Sequence, residues 1–179
     1  QKLLEDLQNM DIVSDDARKN RSVSEWKAEI EQYRKQDKKK SALRSANKAL
    51  EAYPKSAVLY AERANVYLDL SDQKAHADIQ KALSLQPDCV EAYLALAVED
   101  AGLGWMKRAR EDLAQAGAIE PGNADVYRTK AYYYDLGIAD FRSAMADCDT
   151  AVERATADRA KEMELDRCRL DEKVFYYTR

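Results

Sequence analysis

His76 is the one side chain in this sequence that ordinarily titrates near neutrality, and it stands between Ala75 and Ala77. A general base needs a nucleophile within reach and an orienting partner behind it. No Ser or Cys motif supplies either around His76, and no Gly-rich loop offers a phosphate cradle. The three cysteines, Cys89, Cys148 and Cys168, are odd in number and lack Cys-x-x-Cys spacing. With a single His they do not read as a zinc site. Free thiols in a reducing, cytoplasmic compartment are the expectation, ahead of a disulfide. The opening residue is Gln1 rather than Met, which leaves a removed leader or preceding domain, and so export, open. Neither catalysis nor a cofactor is expected from these residues.

The densest charge is the run Arg34-Lys35-Gln36-Asp37-Lys38-Lys39-Lys40. A solvated turn is its expected role, ahead of contact with an anionic partner or a lipid headgroup. Over the whole chain 29 basic residues face 33 acidic ones, for a net charge of −4. That balance argues against nucleic acid, which needs a basic footprint. No apolar run approaches the ~18 residues of a membrane-spanning helix.

The elements that position these residues are short helices. Charged residues make up 35% of the chain, with 5 Gly and 3 Pro, so loops must be few and tight. The stretch Val90–Pro121 shows the plan. Its first half carries Tyr93, Leu96, Ala97 and Val98, Gly102 and Gly104 break the pattern, and its second half carries Ala109, Leu113 and Ala116 before Pro121. Steps of three and four give a helix with one buried face. Two helices this short need neighbours to bury it.

The plan recurs along the chain. Large aromatics stand at Trp26, Tyr60, Tyr93 and Tyr127, at intervals of 34, 33 and 34. Seven residues on from each come Tyr33, Tyr67, Asp100 and Tyr134. Small residues repeat at Ala42, Ala75, Ala109 and Ala144, and again at Ala49, Ala82, Ala116 and Ala151. Pro54, Pro87 and Pro121 close three units. Ser22 and Glu25 have capping-box spacing at the first helix, while Ser56, Asp88 and Asn123 are the expected caps of the later ones. The second unit is one residue short near Ser71-Asp72, and the fourth is expected to carry a longer turn at Gly137–Asp140.

These residues resemble the tetratricopeptide repeat (TPR) family, with its 34-residue repeat and W-x2-L-G-x2-Y…A-x3-F…P pattern. The resemblance covers about Val23–Val152 and is best in Tyr93, Leu96, Ala97, Gly104, Ala109, Leu113, Ala116 and Pro121. Pentatricopeptide repeats have a similar period, but the closing prolines, paired alanines and acidic balance favour TPR. The resemblance implies an all-α solenoid of antiparallel helix pairs. The expected division is a leading helix and linker at 1–22, four units at about 23–56, 57–89, 90–123 and 124–155, and a C-terminal capping helix and tail at 156–179. Leu3, Leu4, Leu7 and Met10 mark the leading helix, and Met163, Leu170, Val174 and Tyr177 the last one.

In proteins of this kind the first helices line a hollow face that binds peptide segments. Counting from each opening aromatic, the inward positions are Lys27, Glu31 and Arg34; Ala61, Asn65 and Leu68; Leu94, Val98 and Ala101; and Arg128, Tyr132 and Asp135. The resemblance therefore implies a non-enzymatic adaptor with a protein or peptide partner in a trough apolar at its middle and charged at its ends. A trough filled by the protein's own terminal helices is the competing expectation. The carboxylate clamp of chaperone adaptors is absent. One register of it meets Lys27, Glu31, Glu62, Glu91 and Ala95, and the other Ala61, Asn65, Ala95, Asp125 and Thr129. The alternative role is assembly, with Val174, Phe175, Tyr176 and Tyr177 as a self-association surface in a homo-oligomer or a larger protein.

Overall fold

A computed structural model of the chain describes residues 21–135, 138, 140–156, 159–160, 163–164 and 167. Four positions at the repeat spacing start the first helix of each pair. Ser22 begins α1 (Val23–Lys35) and closes a full capping box, accepting from the Glu25 amide while its own amide donates to the Glu25 carboxylate at 2.7 Å. Ser56 begins α3 (Ala57–Asp69) and accepts from the Leu59 amide. Cys89 begins α5 (Val90–Gly102) without a side-chain cap bond. Asn123 begins α7 (Ala124–Thr129), accepting from the Asp125 amide at 2.8 Å. The expected cap at Asp88 is thus corrected to Cys89. Asp88 is exposed one residue outside the helix, whereas Cys89 is buried at the position the repeat dictates.

The second helices are α2 (Lys39–Ala52), α4 (Lys74–Leu85), α6 (Met106–Ile119) and α8 (Phe141–Arg154). Each packs on the helix before it, and each first helix also packs on the next first helix. The result is a solenoid of stacked pairs, with no strand among the described residues. In the first three pairs the chain reverses through a left-handed residue: Asp37 at φ 54°, Ser71 at φ 55° and Gly104 at φ 78°. These too are one repeat apart. In the fourth pair α7 continues as a π-helix, Lys130–Asp135. A π turn takes up one extra residue; residues 137 and 139 of the longer turn expected at 137–140 lie outside the described residues.

The alanine positions form the seam. Ala42, Ala109 and Ala144 are wholly buried, as are Ala49, Ala82 and Ala116, and Ala75 and Ala151 nearly so. Ala64, Ala97 and Ala131 on the first helices are also without exposure, and Ala131 packs with Ala144. Larger side chains fill what the alanines leave: Trp26, Ile30, Leu59 and Val66 around the first two pairs, Ile79 and Leu96 around the next. Ala109→Leu should therefore overpack the seam and cost about 1–3 kcal/mol. A melting temperature equal to the parent's would show that the helices there have room to spare.

Asp100 stands where the other units carry an aromatic, yet it is 1% exposed. It faces the Arg108 guanidinium at 3.0 Å. Burial, and then the Asp100 charge, push neighbouring Asp112 up to about 6. Cys89 and Cys148 are both buried, and Cys89 is a free thiol. Burial raises Cys89 to about 11, which leaves it a small packed side chain rather than a reactive one.

Beyond α8, residues 159–160, 163–164 and 167 are helical, and Met163 is buried. Arg159 pairs with Asp125 and Arg167 with Asp149, so this segment lies on the fourth pair. The expected leading helix, the tail Val174–Tyr177 and Cys168 lie outside the described residues.

Candidate binding cleft

The first helices α1, α3 and α5, together with α7 and its π extension, line a cleft of about 480 Å³. Lys27, Glu31 and Arg34 reach it from α1, and Asn65 and Leu68 from α3. Leu94 and Val98 come from α5, and Arg128 and Tyr132 from the fourth pair. Asp135's side chain lies outside those described; of the other residues singled out from sequence, two do not line it. Ala61 is fully buried beside Ala57, Ala82 and Ala92, because a methyl group at that position lets the next pair close over it. Ala101 is half-buried outside the cleft wall.

Counting inward from the aromatics misses a set of acidic residues. Glu62, Asp69, Glu91 and Asp125 line the cleft as well, as do Thr129 and Tyr133. Four of these, Glu62, Glu91, Asp125 and Thr129, are positions read in the comparison with the carboxylate clamp. The signal was present in that register and absent from the one counted from the aromatics. Tyr132 and Tyr133 both reach the cleft from the π-helix.

The cleft is organised by ion pairs between helices. Lys27 Nζ donates to Glu91 Oε1 at 2.9 Å and lies 3.6 Å from Glu62 Oε1. Arg34 grips Asp69 with two bonds, Nε at 2.6 Å and Nη2 at 3.3 Å. Lys39 donates to the Asp69 carbonyl at 2.8 Å, at the end of α3. Arg34 and Lys39 from the basic run are thus committed to the protein itself rather than simply solvated. At the far end Arg159 holds Asp125 by two bonds, at 2.5 and 3.1 Å, with Arg128 at 3.2 Å.

Burial sets the protonation of this group. Glu62 is 3% exposed, and its desolvation pushes the carboxyl up to about 7 in spite of Lys27. Glu91 is also disfavoured by burial, but Lys27 wins there and holds it below the usual carboxylate range. Lys27, between two carboxylates, is held above its ordinary value although burial opposes this. Asp125 is likewise lowered against burial, chiefly by the Arg159 hydrogen bond. His76 lies elsewhere, exposed, with Nδ1 2.8 Å from Glu99 Oε2.

The molecule is thus a helical-pair solenoid with a mixed polar and aliphatic cleft along its first helices. No protein-family model matches the chain, and no curated protein does. Solved structures do. A structure of PilF from Pseudomonas aeruginosa matches with a TM-score of 0.55 at 18% identity, over 92% of this chain and 72% of that one. YrrB, described as a TPR protein with an unusual peptide-binding site, matches at 22% identity and a TM-score of 0.48, over 74% of this chain and 69% of that one. MamA from Desulfovibrio magneticus RS-1 matches at 15% identity and a TM-score of 0.48, over 83% and 93% of the two chains. The chain is similar to TPR proteins, and its fold is the TPR solenoid.

Proposed function

We infer that the protein is an interaction scaffold that holds a peptide segment of a partner protein in the cleft of its first helices. The observation that carries this is one cavity drawing side chains from all four pairs, large enough for several residues of a bound segment. Its wall alternates groups that desolvate well with groups that orient. Leu68, Leu94 and Val98 give aliphatic surface, Tyr132 and Tyr133 aromatic surface, and Asn65 and Thr129 hydrogen bonds. That mixture suits a chain with side chains to bury and a backbone to satisfy. Glu62, Glu91 and Asp125 in the cleft also make a terminal carboxylate a poor occupant, since like charges would meet at low dielectric. Among the described residues no helix is long and apolar enough to cross a membrane.

The test is selection of binders from a random-peptide display library, followed by affinity measurement on the protein and on a Leu94→Glu, Val98→Glu variant. The selected peptides should bind the variant about 100-fold more weakly, because two carboxylates then replace apolar cleft surface. Equal binding to both proteins would place the recognition surface elsewhere. If no peptide is enriched and the cleft is instead blocked by the protein's own termini, the scaffold reading of this face fails.

A further inference from the structure

We propose that the bound segment presents a lysine or arginine side chain, which enters an acidic pocket formed by Glu31, Glu62 and Glu91 on the cleft floor. This rests on the peptide-cleft reading and specifies its ligand. Three carboxylates from three successive first helices surround Lys27, whose ammonium is bonded to Glu91. The other nearby cations are spoken for. Arg34 is forked onto Asp69, and Arg128 and Arg159 are set against Asp125.

An independent sign is Glu62 Oε2. It is buried, in a residue 3% exposed, and has no hydrogen-bond partner, although that residue lines the cavity. A buried carboxylate oxygen without a donor is costly, and an incoming ammonium or guanidinium supplies that donor. Among the described residues no group of three or more His, Cys, Asp and Glu converges as metal ligands would. The spread of the three carboxylates suits a multi-donor organic cation, which can bond several oxygens at hydrogen-bond distance. Leu94 and Val98 beside the pocket would cover the aliphatic stem of such a side chain.

Recognition of this kind has a sign with pH. Glu62 is faced by Lys27, Glu31 and Arg34 of α1 and by Glu91 of α5, and near neutrality part of it carries a proton. A cation placed against it favours the ionised form, so capture should strengthen as pH rises from about 6 to about 8.

The experiment uses peptides from the same display library. The expected result is a basic residue at one fixed place in the enriched sequences. Its replacement by glutamine should weaken binding to the parent protein by about tenfold or more, and much less to Glu62→Gln. Glu31→Gln, at a more accessible member of the pocket, gives the same readout should Glu62→Gln fail to fold. Enriched peptides that depend on Leu94 and Val98 but show no fixed basic residue would overturn the pocket and leave the peptide cleft standing. So would a lysine-to-glutamine change felt equally by the parent and by Glu62→Gln. Peptides indifferent to Leu94 and Val98 would overturn both.

Discussion

Lys27→Met is expected to lower stability by about 3 kcal/mol near pH 8, the low end of the cost of breaking a buried ion pair because Lys27 keeps some exposure. Near pH 5.5 the loss should be well under half of that. The variant leaves Glu62 and Glu91 facing each other across the cleft floor without the ammonium that bonds one and attracts the other. Glu62 already sits at about 7, and without Lys27 it rises further. A carboxyl raised on folding contributes stability that is complete below its unfolded value and is lost as pH climbs through its folded one. At low pH the variant escapes repulsion by protonating Glu62, and at high pH it cannot. Urea melts of parent and variant across this range provide the check. A loss of the same size at both ends would mean that Lys27 acts through its aliphatic stem alone. Adding Glu62→Leu to Lys27→Met should recover part of the loss at high pH, since a buried charge is then removed along with its partner.

Leu59→Ala should cost about 3–4 kcal/mol, as deletion of a fully buried leucine does when its surroundings cannot collapse. Leu59 has no exposure and packs with Trp26, Ile30, Ala46 and Val66, which join the first pair to the second. In a stack held by neighbour-to-neighbour contacts the damage should be local. Amide hydrogen exchange in α1 and α2 should accelerate more than in α6. Uniform acceleration along all four pairs would mean that the stack opens as one cooperative block.

The sequence made the scaffold legible because its rule is steric and periodic. A small side chain is needed wherever two backbones approach, and Ala42, Ala75, Ala109 and Ala144 announce that need at each repeat. The same period, followed strictly, also locates the helix starts at Ser22, Ser56, Cys89 and Asn123. Choosing by residue type led to Asp88, one place too early. The cleft was harder. Lys27, Glu31, Asn65, Leu68, Leu94, Val98, Arg128 and Tyr132 were found by counting along one helix at a time. The acidic floor arises between helices: Lys27 and Glu91 meet at 2.9 Å across 64 residues of chain, and no local pattern reports such a meeting. The widened turn at Lys130–Asp135 escaped for a related reason. One surplus residue can be absorbed in a loop or within a helix, and composition does not choose between them.

The Lys27–Glu91 bond joins the first pair to the third, passing over the second. A simple array can be peeled from its end one layer at a time, each departure exposing the layer below and nothing further. Here the first pair is clasped to the third, two places along. Separating the first pair from the second would also strip a carboxylate on the third of its counterion, so these three layers are held to part together rather than singly.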